Sequence, residues 1–197
     1  MAVATSLKKI LIPQAQTICK DIDVGPEAKK CLEAEPDPVT YLNALIEQNL
    51  YVDAVRFLAR ALPKREATWW ACLSARSSLN EQSPPELLAA LTAAEAWVFS
   101  PTEPNRRKSH TAAQAANFDN AMSWAAMAAF WSEGNMAPED VPAVVPPPDN
   151  LSCKAVAGAV MLAAVQTQPD KADEKYVFFI EQAIDIANGG NGKVWQV

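Results

Sequence analysis

The chain has 197 residues, half of them hydrophobic, and 17 Lys and Arg against 23 Asp and Glu give a net charge of −6. A chain of this length makes one domain and buries roughly 70% of its unfolded surface, so it needs no disulfide staples. The negative balance argues against nucleic acid, whose phosphates need clustered Lys and Arg, and is compatible with docking onto a basic protein.

Strand signals are nearly absent. Lys8 and Lys9 precede only Ile10-Leu11-Ile12 before Pro13, a run too short for a secretory leader that can form at most a short extended segment. Asp21-x-Asp23 begins like a calcium loop, but Pro26 and Leu32 stand where such a loop needs glycine and glutamate. A short helix follows Gly25-Pro26. A clearer one begins at Asp37-Pro38, with Asp as cap and Pro in the first turn, and Tyr41, Leu42, Leu45 and Ile46 form its apolar face. The next helix sets Tyr51, Val55, Leu58 and Leu62 on one seam and Asp53, Arg56 and Arg60 opposite.

Pro63 starts a helix running to about Leu79, and Pro84-Pro85 opens another through Leu87, Leu88, Leu91, Ala94 and Val98. A polar helix is expected between Pro104 and Asn117. Asp119 is expected to cap an almost wholly apolar helix, Ala121 to Trp131, ended by Gly134. Pro138 to Pro148 holds five prolines in eleven residues, which predicts an exposed, extended crossover. A second apolar helix runs from Ser152 to about Gln166, with Gly158 at its middle. The last begins near Asp170, carries Ala172, Tyr176, Phe179, Ile180, Ala183 and Ala187 on its seam, and stops at Gly189-Gly190. The longest apolar run, Ala155 to Val165, is too short to span a bilayer, and a cytoplasmic protein is expected.

The expected fold is all-α, an irregular array or bundle of about eight to nine helices with HEAT- or TPR-like pairs, though no fixed repeat period is present. A single helical domain over residues 1–197 is expected, with an N-terminal extension (1–36), a main body (37–135), a proline-rich crossover (136–150) and a C-terminal helix pair (151–190). The two helices apolar all round should be central.

Motifs that carry chemistry are scarce. Cys19, Cys31, Cys72 and Cys153 lack metal or redox spacing and read as reduced, buried small hydrophobes. His110 is the sole histidine; it and the basic triplet Arg106-Arg-Lys108 read as a solvated helix face. Gly189-Gly190-Asn191-Gly192 follows a helix rather than a strand and lacks the Gly-Lys-Ser/Thr ending of a phosphate loop, so it reads as a helix stop and flexible tail. No catalytic, cofactor or metal set is expected. Trp97, Trp124 and Trp131 fall on helical seams and read as core.

Glu66 is the residue to weigh. At about 100° per residue it sits one turn before both Trp69 and Trp70, so burial of the pair should bury the carboxylate. A buried carboxylate needs a cation or several donors, and Arg60, Arg65 and Arg76 are near in sequence. An inter-helix ion pair that sets register is expected; the competing reading is a general acid or base. Trp195 follows the glycine cluster and either folds onto the body or presents an anchor to another protein.

Ala61-Leu-Pro-x-Arg-Glu-Ala-x-Trp-Trp-Ala-Cys-Leu73, Ala94-Glu-Ala-Trp-Val98 and Lys154-Ala-Val-Ala-Gly-Ala-Val160 together resemble a family of uncharacterised bacterial all-helical proteins. The likeness runs from about Leu50 to the last helix, and Arg-Glu-Ala-x-Trp-Trp is its most specific part. The resemblance implies an accessory role beside type VI secretion components and brings no catalytic residues. The expected function is therefore a non-enzymatic cytoplasmic adaptor or chaperone-like protein that binds another protein, a secretion effector or spike component. The alternatives are an immunity-type inhibitor of a toxin and a hydrolase centred on Glu66.

Overall fold

Proline and Asx residues set where most of the helices begin. In a computed structural model that describes residues 3–193, α1 (Ala15–Cys19) and α2 (Pro26–Lys30) are single turns. Then follow α3 (Pro38–Glu47), α4 (Tyr51–Ala61), α5 (Lys64–Arg76), α6 (Pro85–Phe99), α7 (Glu103–Ala115) and α8 (Ala121–Phe130). After the crossover come α9 (Leu151–Val165), a 3₁₀ turn (Pro169–Lys171) and α10 (Ala172–Ala187). There is no strand among the described residues, and Ile10-Leu11-Ile12 forms none. No helix among them is long and apolar enough to cross a membrane.

The caps explain the starts. Asp37 accepts from the amides of Val39 and Thr40, satisfying donors the helix leaves unpaired. The apolar helix α8 is capped one residue later than expected: Asn120 Oδ1, not Asp119, accepts from Ser123 N at 2.8 Å.

Consecutive helices pack on each other from α3 through α8, save that α4 and α5 barely touch, while α9 returns across α4, α5 and α8. That return makes a bundle rather than an open array. Every residue of α8 but Trp124 is buried, and its alanines let α9 approach closely. Ser152 Oγ donates to Ala128 O across the contact at 2.9 Å. Gly158 lies over the Trp124 ring, 3.5 Å from where a Cβ would stand. The seams read from α3, α4 and α10 line this interior as expected: Tyr41, Leu42, Leu45, Val55, Leu58, Phe179, Ile180 and Ala183 are all but inaccessible.

The first residues join the interior rather than extend from it. Asn43 exchanges two hydrogen bonds of 2.9 Å with the backbone of Ala4. Asn188 Nδ2 donates to Ser6 O at 2.8 Å, and Lys9 N donates to Ala187 O at 2.8 Å. Ala4 and Leu7, within this N-terminal strap, are buried. Asp53, expected on the outer side of α4, is instead buried and accepts from Gly25 N at 2.9 Å.

The crossover is extended and mostly exposed, but it is also fastened. Asn135 accepts from Val145 N at 2.7 Å and donates to Ala143 O at 2.7 Å, while Met136 N donates to Val145 O at 2.8 Å.

Candidate functional site

The first turn of α5 is where helix ends converge. Arg65 Nε donates to Val98 O at 2.6 Å and Nη2 to Phe99 O at 3.4 Å, both carbonyls at the end of α6. Lys64 Nζ donates to Ser132 O, just beyond α8, at 2.8 Å. Cations suit these ends because a helix leaves its last carbonyls unpaired.

One turn further, the tryptophan pair divides. Trp70 is fully buried and donates Nε1 to Phe179 O at 2.7 Å, tying α5 to α10. Trp69 is half-buried; its ring meets Phe99 edge-on at 5.7 Å, and its Nε1 donates to Asn191 O at 2.8 Å. Phe99 is 72% exposed.

Glu66 does not pair with an arginine. Its side chain is 27% exposed, and Lys9 Nζ lies 3.1 Å from Oε1. The N-terminal strap brings Lys9 there, which no local spacing could indicate. The three arginines have other partners: Arg60 reaches Asp21 at 3.6 Å, Arg65 the α6 carbonyls, and Arg76 Glu95 at 2.6 Å. The ion pair is thus inter-segment but neither buried nor built from arginine. Trp195 lies outside the described residues.

Lys9, Arg65, Glu66, Trp69, Phe99 and Lys193 line an open cleft of about 450 Å³, whose other walls come from α10 and the tail. The glycines after α10 shape it. Gly190 N donates to Asp185 O at 2.9 Å and Gly192 N to Asp185 Oδ2 at 2.8 Å. Gly192 has φ of +73°, and a Cβ there would stand 2.5 Å from Leu73 Cδ1. The segment expected to be a flexible tail is, as far as Lys193, wedged between α5 and α10.

A second charged group is buried where its neighbours in sequence imply exposure. Arg106, read as part of an exposed basic face, is 0% exposed. Glu103 accepts from its Nε at 2.6 Å and its Nη2 at 2.7 Å; Nη1 donates to Phe130 O at 2.6 Å and Nη2 also to Asn135 O at 2.8 Å. The guanidinium also lies 4.6 Å from the centroid of the Phe130 ring. Gly134, with φ of +76°, gives it room: a Cβ there would stand 2.8 Å from Nε. Hydrogen bonds from Arg106, more than any other cause, hold the Glu103 carboxyl down to about 2. The available signals were the three-residue spacing of Glu103 and Arg106 and a glycine just past α8. Only Lys108 of the triplet is exposed.

His110 is likewise not a solvated side chain. It stacks on Phe130, with centroids 4.2 Å apart and planes 17° apart. Burial, then Arg107 and Arg106, depress its pKa below 6.5. The four cysteines are free thiols, Cys31 alone being half-buried. Burial raises the Cys19 thiol to about 11 and pushes Cys72 up further still.

A family of unknown function, DUF6931, matches residues 41–187. The chain belongs to that family. No curated protein and no solved structure matches it. The family's span covers the floor of the cleft, Arg65, Glu66 and Trp69, and Phe99 at its mouth, while Lys9 and Gly190–Lys193 lie outside it.

Proposed function

We propose that the protein is a non-enzymatic adaptor or chaperone-like module that binds another protein through the Trp69–Phe99 cleft. The observation that carries this reading is Phe99, a large aromatic side chain left 72% exposed at the mouth of a cleft. Aromatic side chains in pockets dominate the energetics of protein contacts, and Phe99 stands edge-on to the half-buried Trp69 ring at 5.7 Å rather than alone on the surface. The described cleft residues include no serine, threonine, cysteine or histidine, and Glu66 is held by Lys9. A carboxylate neutralised by a lysine in an open cleft makes a poor general base, which counts against a hydrolase.

The partner we propose is a secretion effector or spike component, on the strength of the sequence resemblance alone, and the setting is the cytoplasm. The immunity-type reading draws support from the net charge of −6, which suits a cationic toxin.

The test is parallel capture from the native host with wild-type and Phe99→Asp protein, followed by reconstitution of the purified pair. A secretion component held by wild type and lost by Phe99→Asp supports the adaptor. A captured toxin whose activity the protein abolishes supports immunity. Identical captures by both proteins would remove the cleft from the account.

A further inference from the structure

We infer that the cleft recognises an acidic peptide segment bearing one aromatic or large aliphatic residue, displayed on the partner protein. This rests on the adaptor reading above and names what its cleft selects. The argument begins with charge. The described lining carries three cations, Lys9, Arg65 and Lys193, against one carboxylate, Glu66, in a chain whose net charge is −6. With Asp185 of the adjoining wall counted, whose Oδ2 accepts from Gly192 N at 2.8 Å, the described cations still outnumber the carboxylates by three to two. The cleft is therefore a basic spot on an acidic body, and complementary charge selects partners and speeds encounter.

The geometry separates two functions within the cleft. Lys9 answers Glu66 at 3.1 Å, and Arg65 commits Nε and Nη2 to the α6 carbonyls. Among the described residues, that leaves Arg65 Nη1 and Lys193 as the cations for an incoming carboxylate. Beside them stand the Phe99 ring, 72% exposed, and the Trp69 ring edge-on to it at 5.7 Å. An apolar side chain laid on this wall would cover Phe99, and Asp or Glu residues flanking it would reach the two cations. An opening of about 450 Å³ holds one such side chain with its neighbours. Two of the three cations belong to segments outside residues 41–187, so the preference for acids is built by the flanks and the apolar anchor site by the body.

The test is fluorescence polarisation with the full chain and a fluorescein-labelled peptide, Gly-Asp-Glu-Phe-Asp-Gly-Glu. Its controls are the peptide with amides for the acids and the peptide with lysines for the acids. The acidic peptide is expected to bind about tenfold tighter than the amide peptide at low salt, with the advantage shrinking at high salt. Phe99→Ala and Lys193→Glu, both exposed positions, should each weaken it by about tenfold. Equal binding of the amide or lysine peptide overturns the inference, as does acidic binding that neither variant changes. Binding that emerges only in Trp195→Ala protein assigns the cleft to the chain's own tail and overturns it too. A host partner lost with Phe99→Asp but indifferent to Lys193→Glu would leave the adaptor reading standing and remove the charge preference alone.

Discussion

Glu66 and Arg106 are the two charged residues whose settings matter most, and they exchange the places their surroundings in sequence imply. Glu66 precedes a tryptophan pair and looks destined for the interior; it sits in an open cleft against a lysine 57 residues away. Arg106 begins a basic triplet and looks solvated; it is inaccessible, with a carboxylate, two carbonyls and an aromatic ring around it. Burial of a charge is decided by the supply of partners from distant segments. Arg106 finds carbonyls released at the end of α8, whereas Glu66 stands where three helix ends leave a gap.

The sharpest way to break this contrast is Arg106→Ala. It leaves Phe130 O and Asn135 O without donors and unpairs Glu103, whose side chain is 51% exposed. Two buried acceptors stranded at about 1–3 kcal/mol each put the expected loss in chemical denaturation at about 3–5 kcal/mol. A stable Arg106→Ala protein would mean that the site tolerates water and that the comparison fails.

The tryptophan pair gives the same contrast in apolar form. Trp70→Ala should cost about 3–5 kcal/mol through its cavity, with the bond to Phe179 O lost as well. Trp69→Ala should cost about 1–2 kcal/mol, because the side chain is only half-buried. Equal losses in urea titrations would show that the cleft wall is as much core as Trp70.

Gly134→Ala sharpens the account of how Arg106 is housed. A left-handed backbone and a Cβ 2.8 Å from Nε should together cost about 1–3 kcal/mol. The penalty should shrink in an Arg106→Ala background, which a double-mutant cycle reads directly.

Acid should act on the Arg106 region in two windows of the same sign. The folded-state pKa of His110 lies below 6.5, so the unfolded chain binds the proton more readily and stability falls as pH drops below that value. The Glu103 carboxyl, lowered from 4.5 to about 2, contributes stability that is present above pH 4.5 and lost as pH falls towards 2. Denaturation midpoints at pH 7.5 and 5.5 should move less in His110→Gln than in wild type. An unchanged shift would assign the upper window to other groups.

Glu66→Ala should be the mildest change, within about 1 kcal/mol, as for other partly exposed ion pairs. A loss comparable to that of Arg106→Ala would return Glu66 to the interior.

Much of the fold was legible because helices are written locally. Asp37-Pro38, Pro63 and Pro84-Pro85 marked starts correctly, and the α3, α4 and α10 seams came from 3.6-residue periodicity. The single turn α1 leaves no signal in the sequence, since five residues are too few for a period to show. The cap of α8 was misplaced because Asp119 and Asn120 are adjacent and chemically equivalent there; backbone geometry chose Asn120.

The candidate site was legible only in its floor. Arg65, Glu66 and Trp69 stand together in one motif, but Phe99, Lys9 and Lys193 reach them from α6, the N-terminal strap and the tail. Ala4, Ser6 and Asn188 position Lys9 through hydrogen bonds spanning up to 182 residues. No spacing rule can anticipate contacts of that range.

By itself, then, the sequence determined an all-helical chain with two central apolar helices and a proline-rich crossover, because backbone hydrogen bonding, caps and side-chain periodicity act within a few residues. The tertiary structure alone decided which charges are buried, which tryptophan faces water and where the basic cleft opens. Those outcomes depend on carbonyls, rings and lysines that meet only after the chain has returned on itself. Desolvation makes a charge costly or cheap according to these neighbours, whatever residues stand beside it in the sequence.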